Sequence, residues 1–225
     1  MNDALYGPLW LSLRVSAAAT LLVIAAGAPL SFWAARTRMR ARGLITGLLI
    51  SPIVLPPTVL GIALLSILGR RGPLGMVLER LFGATVVFHW TGAAIAAACA
   101  AFPMFFLPAK GAFEGIDPAL EDAARLLGRG ERSVFFDVTL PLARRGLAAG
   151  AALAFLRALG DFGTTLMVAG DIPGRTRTAP LAIYAAWERR DLATATWLAC
   201  ATSVLAIAVL LVVERSTSTL LGSRR

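Results

Sequence analysis

Residues 117–128 read Asp117-Pro118-Ala119-Leu120-Glu121-Asp122-Ala123-Ala124-Arg125-Leu126-Leu127-Gly128, and the frame of the whole chain follows from how this stretch is read. Asp is a favoured N-cap, and Pro at the first helical position gives up no needed hydrogen bond. Glu121 and Asp122 fall in the first turns, where the helix dipole favours negative charge. Ala123, Ala124, Leu126 and Leu127 continue the helix, and Gly128 suits a left-handed stop. The spacing predicts a helix of about ten residues. A second helical segment, 131–140, carries Val134, Phe135, Val138 and Leu140 at helical spacing, and Pro141 follows it ahead of Arg144-Arg145. Residue chemistry alone leaves this stub either an interfacial helix or a helix that docks on another protein.

Outward from the stub the chain becomes apolar. Hydrophobic residues make up 57% of the 225 residues and charged residues 16%, and the mean hydropathy is +0.73. So few charges cannot cover a soluble protein of this length. A membrane-crossing helix needs about 20 mostly apolar residues. Five stretches qualify: 10–34, 44–68, 84–107, 147–170 and 192–213. The chain is therefore expected to be all-α, a polytopic membrane protein with a single transmembrane domain over 1–225. The first apolar run is too long for a signal peptide and lacks a basic lead, so it is read as a retained span.

Basic residues set the orientation. Loop 35–43 (Arg36, Arg38, Arg40, Arg42), loop 108–146 (Lys110, Arg125, Arg129, Arg132, Arg144, Arg145) and the C-terminus (Arg215, Arg224, Arg225) share one side, with thirteen basic residues against seven opposite. The N-terminus is expected outside and the C-terminus inside. The net charge of +9 thus belongs to membrane edges and lipid headgroups rather than to nucleic acid. One histidine, His89, and two distant cysteines, Cys99 and Cys200, supply no metal-ligand set. The one lysine, Lys110, precedes Gly111-Ala112, so the Gly-Lys-Ser/Thr of a phosphate-binding loop is absent. With no clustered carboxylates in the spans either, no catalytic constellation is expected.

Two spans carry features that a lipid-facing helix avoids. The 147–170 stretch contains Arg157 and Asp161, four residues apart and able to pair on one helix face, with Gly160, Gly163, Thr164 and Thr165 around them. The pair is either a structural lock or a source of positive potential for an anion path, with Asp161 positioning Arg157. The 44–68 stretch contains Ser51-Pro52 and Leu55-Pro56-Pro57-Thr58. Prolines free backbone carbonyls, which survive in a membrane only inside protein or along a cavity, so a kinked helix facing a pathway or a packing kink is expected.

The order Asp122-Ala123-Ala124, three residues, Gly128, nine residues, Val138, Thr139, Leu140-Pro141 resembles the EAA loop of bacterial ABC-importer permeases. That pattern is Glu-Ala-Ala, three residues, Gly, nine residues, Ile, one residue, Leu-Pro. A glutamate also stands one place earlier, at Glu121, which leaves open whether Glu121 or Asp122 makes the family's contact. Phe155-Leu156-Arg157-Ala158-Leu159-Gly160-Asp161-Phe162-Gly163 is similar to a segment of molybdate and sulfate importer permeases. Asp171-Ile172-Pro173-Gly174-Arg175-Thr176-Arg177-Thr178 and Leu55-Pro56-Pro57-Thr58-Val59-Leu60-Gly61 resemble the molybdate branch.

The resemblance implies a type I ABC importer permease fold, with the 117–128 helix as a coupling helix for a cytoplasmic ATPase subunit. It also implies a homodimer in the bacterial inner membrane and an extracytoplasmic oxyanion-binding protein. The cargo would be molybdate or tungstate, with sulfate or thiosulfate as the alternative. No cofactor is expected on this chain, and ATP and Mg belong to the partner ATPase. The expected coupling residues are Asp117, Glu121, Asp122, Ala123, Ala124, Gly128, Leu140 and Pro141. The expected pathway residues are Ser51, Pro56, Pro57, Thr58, Arg157, Gly160, Asp161, Gly163 and Thr164. An ATP-independent secondary transporter is the competing class, but such chains tend to show matched internal repeats of broken helices, and none is visible here.

Overall fold

A computed structural model describes residues 2–37, 39–82 and 85–219. Of the charges used for orientation, Arg38, Arg224 and Arg225 lie outside the described residues, as does Ala84 at the start of one apolar stretch. The described residues form eleven α-helices: α1 (Asn2–Arg36), α2 (Arg42–Ile50), α3 (Pro57–Leu68), α4 (Pro73–Phe82), α5 (Trp90–Glu114), α6 (Pro118–Leu126), α7 (Glu131–Val134), α8 (Leu140–Leu159), α9 (Gly163–Ala169), α10 (Ala179–Glu188) and α11 (Leu192–Thr219). A 3₁₀ turn, Ser51–Ile53, follows α2, and a π-helical turn, Phe135–Thr139, joins α7 to α8. Among the described residues, four helical segments are long and apolar enough to cross a membrane, or five if a bent pair counts as one crossing.

The core is a three-helix seam of α1, α5 and α8 built from small residues. Ala93, Ala97, Ala101 and Ala109 of α5 meet Ala19 of α1 and Ala154 and Ala158 of α8. Lipid is as apolar as a leucine, so membrane helices gain by approaching closely enough for dispersion contacts, which small side chains permit. Phe105 shows the result. A methyl on Gly27 of α1 would lie 2.6 Å from its ring, and one on Gly150 of α8 would lie 2.9 Å from its carbonyl oxygen. Val204, Ile207, Leu210, Leu211 and Val212 of α11 instead face outward, as a lipid-facing helix requires.

Two apolar stretches read as continuous are broken. The 44–68 stretch divides into α2, the 3₁₀ turn and α3, with extended Pro56 (φ −55°, ψ 138°) as N-cap of α3. Pro57 then sits at the first helical position, where its missing N–H costs nothing. The 147–170 stretch breaks at Gly160–Phe162, and the helix through α8 and the short α9 meet at a bend of 63°. Upstream, that same helix begins at Glu131 rather than near 147, so most of the 108–146 loop is helix. Its real linkers are residues 115–117 and 127–130. Pro141 explains the π turn: lacking an N–H and clashing with the carbonyl four residues back, it widens the preceding turn. Leu140 N accordingly bonds Phe135 O, five residues back.

Candidate functional site

Local chemistry forms the stub as its sequence suggests. The Asp117 carboxylate accepts from Ala119 N at 2.9 Å and caps α6. At the other end Gly128 has φ +80°. Its N–H donates to Arg125 O at 2.9 Å, and Arg129 N donates to Ala124 O at 3.1 Å. These two bonds are the Schellman closure, which needs a left-handed residue at that point. Ala123 is exposed and Ala124 half-buried. Leu126 and Leu127, 89% and 84% exposed, project outward beside the closure.

The two candidate carboxylates separate cleanly. Asp122 is exposed and pairs with Arg125 of its own helix at 2.7 Å. Glu121 is 5% exposed and turned into the bundle. It accepts from Arg36 Nη2 at 2.5 Å and from Thr139 Oγ1 at 2.7 Å. The Arg125 guanidinium donates to Glu131 first, then to Asp122, and these bonds hold it even more firmly protonated than usual. The ends of α1 and α5 gather at this same pole, where Arg42 pairs with Glu114 and Lys110 reaches Glu114 at 3.0 Å. Leu140 and Pro141 open α8, directly after the π turn. Arg36 and Thr139 were not among the expected residues. Arg36 reads only as one of four loop charges, and Thr139 occupies an unspecified place in the EAA pattern.

Inside the bundle, Arg157 and Asp161 pair at 3.0 Å, although across a helix end rather than along one face. Asp161, 2% exposed, lies beyond the last turn of α8 and binds the first turn of α9. Its carboxylate accepts from Thr165 N at 2.9 Å, from Thr165 Oγ1 at 2.8 Å and from the Thr164 hydroxyl. Four donors therefore saturate its two oxygens and close the gap left by the helix break. Arg157 keeps about a third of its side chain exposed. The two broken stretches also meet. A methyl on Gly163 would lie 2.8 Å from Pro57 Cβ, and one on Gly61 would lie 2.6 Å from Met167 Cβ, so α3 and α9 run in near backbone contact. Gly160 sits exposed in the turn between α8 and α9. Pro56 and Thr58 are exposed at the start of α3, while Ser51 donates to Leu48 O at 2.8 Å and closes α2.

The opposite pole is ordered by polar contacts of another kind. His89 caps α5 and lies 2.9 Å from Thr91 Oγ1, and the Arg14 guanidinium stacks 3.9 Å from the Trp90 ring centroid. Arg177 bonds both oxygens of Asp171, at 2.6 and 2.8 Å. Ala179 N donates to Ser12 Oγ at 2.7 Å, tying the 171–178 loop to α1. Cys99 is half-buried and Cys200 exposed, both free thiols. Among the described residues no three His, Cys, Asp or Glu stand close enough to hold a metal ion.

Membrane-crossing helices around a polar, broken-helix interior, with a rigid stub exposed at the basic pole, define a multi-pass membrane transport component. The model of the family described as the inner membrane component of binding-protein-dependent transport systems matches residues 27–220, and this chain belongs to that family. The molybdenum transport permease ModB of Escherichia coli K12 is 42% identical over 184 residues, covering 82% of this chain and 80% of that protein. The ModB of Azotobacter vinelandii is 38% identical over 189 residues, covering 84% of each. Among solved structures, a bacterial alginate ABC importer superposes with a TM-score of 0.76 at 13% identity, over 97% of this chain and 80% of that one. The MetNI methionine ABC transporter, in inward-facing conformations, gives 0.71 at 14%, over 97% of each. The fold is that of a type I ABC importer permease. The chain is a non-catalytic permease subunit, and family membership displaces the ATP-independent transporter as a reading.

Proposed function

We propose that this chain is the membrane-spanning subunit of an ATP-driven importer that carries molybdate, or the nearly isosteric tungstate, into the bacterial cytoplasm by alternating access. Two copies would form the translocation unit. Two cytoplasmic ATPase subunits carrying ATP and Mg would dock on α6, and an extracytoplasmic oxyanion-binding protein would deliver the cargo. The observation that carries this reading is the α6 stub, capped at both ends, anchored to the bundle and presenting Leu126 and Leu127 to the outside. The basic pole that bears it is the cytoplasmic one by the positive-inside rule, which puts the N-terminus outside and the C-terminus inside.

The cargo assignment is supported by the molybdenum transport permeases among its relatives, and sulfate is the less favoured oxyanion. Arg157 supports it chemically: a dianion leaving water needs fixed positive partners, and this cation is held within the bundle by Asp161. Homodimerisation is supported by the irregular segment at 54–56. Its residues are exposed in the single chain, whereas non-helical backbone at membrane depth persists only against protein or a water-filled cavity. The test is ATP hydrolysis by the reconstituted assembly with binding protein loaded in turn with molybdate, tungstate and sulfate. Stimulation by the first two supports the reading. Equal stimulation by sulfate alone, or none by any oxyanion, overturns it.

A further inference from the structure

Glu121 is an unusual residue for a docking helix, because its side chain is buried within the bundle. Its carboxylate is held from two directions by elements remote in sequence. Arg36 at the last turn of α1 donates from 85 residues upstream, and Thr139, at the end of the π turn, donates from 18 residues downstream. The second carboxylate oxygen faces Arg125 at 4.0 Å. Aromatic rings enclose the site. Phe32 packs edge-on to Phe113 of α5 at 5.3 Å and to Phe135 of the π turn at 5.1 Å. The Arg36 guanidinium lies 5.9 Å from the Phe32 ring centroid. Behind them Phe113, Ile116 and Ala143 form a separate apolar cluster that includes Phe32. In such low-dielectric surroundings a lone charge is costly, so carboxylate and guanidinium move together.

We infer that Glu121 is the transmission pin of the transporter, a positioning residue that ties the ATPase-facing helix to α1 and, through Thr139, to α8. This inference rests on the docking role proposed above for α6. Displacement of α6 pulls the Glu121 carboxylate, and the two bonds deliver that pull into the two helices flanking α5. α8 carries Arg157, which pairs with Asp161 just beyond the helix end, so the load reaches the break between α8 and α9. The π turn, whose hydrogen bonds span five residues, is the compliant element in that line, and π turns recur where helices serve a function. A cavity of about 550 Å³ lined by Arg36, Glu121, Arg125, Phe135 and Thr139 leaves room for these side chains to shift. Asp122, by contrast, stays on the outer face for the partner.

The test uses the full assembly of permease, ATPase and binding protein in liposomes, and measures molybdate taken up per ATP hydrolysed. Glu121→Gln and Arg36→Leu are each expected to retain the ATPase on purification yet lower that ratio about tenfold, the scale of a lost charge-assisted bond. The double variant should be no worse than either single change, because both remove one interaction. Thr139→Val keeps the shape without the hydroxyl and should lower the ratio about threefold. Wild-type uptake per ATP in Glu121→Gln and Thr139→Val, with the ATPase still bound, overturns the inference. Loss of the ATPase from Glu121→Gln overturns it as well, since the residue would then be a docking contact. Failure of the unaltered chain to hold any ATPase would instead refute the docking role itself.

Discussion

Replacing Asp161 by Asn tests whether the helix break is held by charge or by shape. One carboxylate oxygen accepts from Thr165 N, Thr165 Oγ1 and the Thr164 hydroxyl, and the other accepts from Arg157. An amide has only one acceptor oxygen. Thr165 N cannot rotate to become an acceptor, so the oxygen must stay on the threonine side and the NH₂ must face the guanidinium. The pair is thereby lost while the cap survives. Removing one partner of a buried pair costs about 3–5 kcal/mol, and the exposed third of Arg157 reduces this to about 2–3 kcal/mol. For a chain of this size that corresponds to a fall of about 4–12 °C in Tm. The assay is thermal unfolding of the purified chain in detergent. The double variant Asp161→Asn with Arg157→Leu should recover much of the loss, because it leaves no lone charge in the bundle. A shift below about 2 °C for Asp161→Asn, or no recovery in the double variant, would refute a charge-held break.

Other outcomes follow from the same geometry. Arg157→Leu should abolish oxyanion uptake in vesicles while dimer and ATPase still copurify, and normal uptake would reduce the residue to a structural one. Gly128→Ala forces a side chain into φ +80°, costing about 1–2 kcal/mol. Hydrogen exchange at the amides of Gly128 and Arg129 should quicken about tenfold, and Gly128→Asn should be milder. Leu126→Ser combined with Leu127→Ser should leave the Tm of the isolated chain unchanged, both being exposed. It should weaken ATPase copurification at least about tenfold, since each docked leucine contributes about 1.5–3 kcal/mol when fully buried. Gly61→Ala sets a methyl 2.6 Å from Met167 Cβ and should cost about 1–3 kcal/mol. Gly111→Ala, with nothing within 4 Å, should be neutral or stabilising in the same unfolding assay.

How much could be read beforehand depended on the range of the forces involved. The α6 stub was legible to its caps, because Asp117 and Gly128 act on amides within four residues of themselves. The breaks were only half legible. Prolines at 56 and 57 announced a kink, yet apolar content is the same for a broken and an unbroken stretch, so 44–68 and 147–170 each read as one span. Arg157 and Asp161 were expected to pair along one helix face. They do pair, but because the chain turns at Gly160 and lets Asp161 cap α9. The choice between Glu121 and Asp122 could not be made from spacing at all. It depends on where Arg36, 85 residues away, comes to rest.

The sequence by itself determined that this is a multi-pass helical membrane protein with a capped stub between spans. Hydropathy, capping and small-residue content are properties of neighbouring residues and carry over unchanged into the folded state. Only the tertiary structure decided which face of the stub turns inward, that α3 and α9 run in backbone contact, and that Arg36 and Thr139 share one carboxylate. Burial and ion pairing are set by groups from distant parts of the chain that meet only after α1, α5 and α8 have packed.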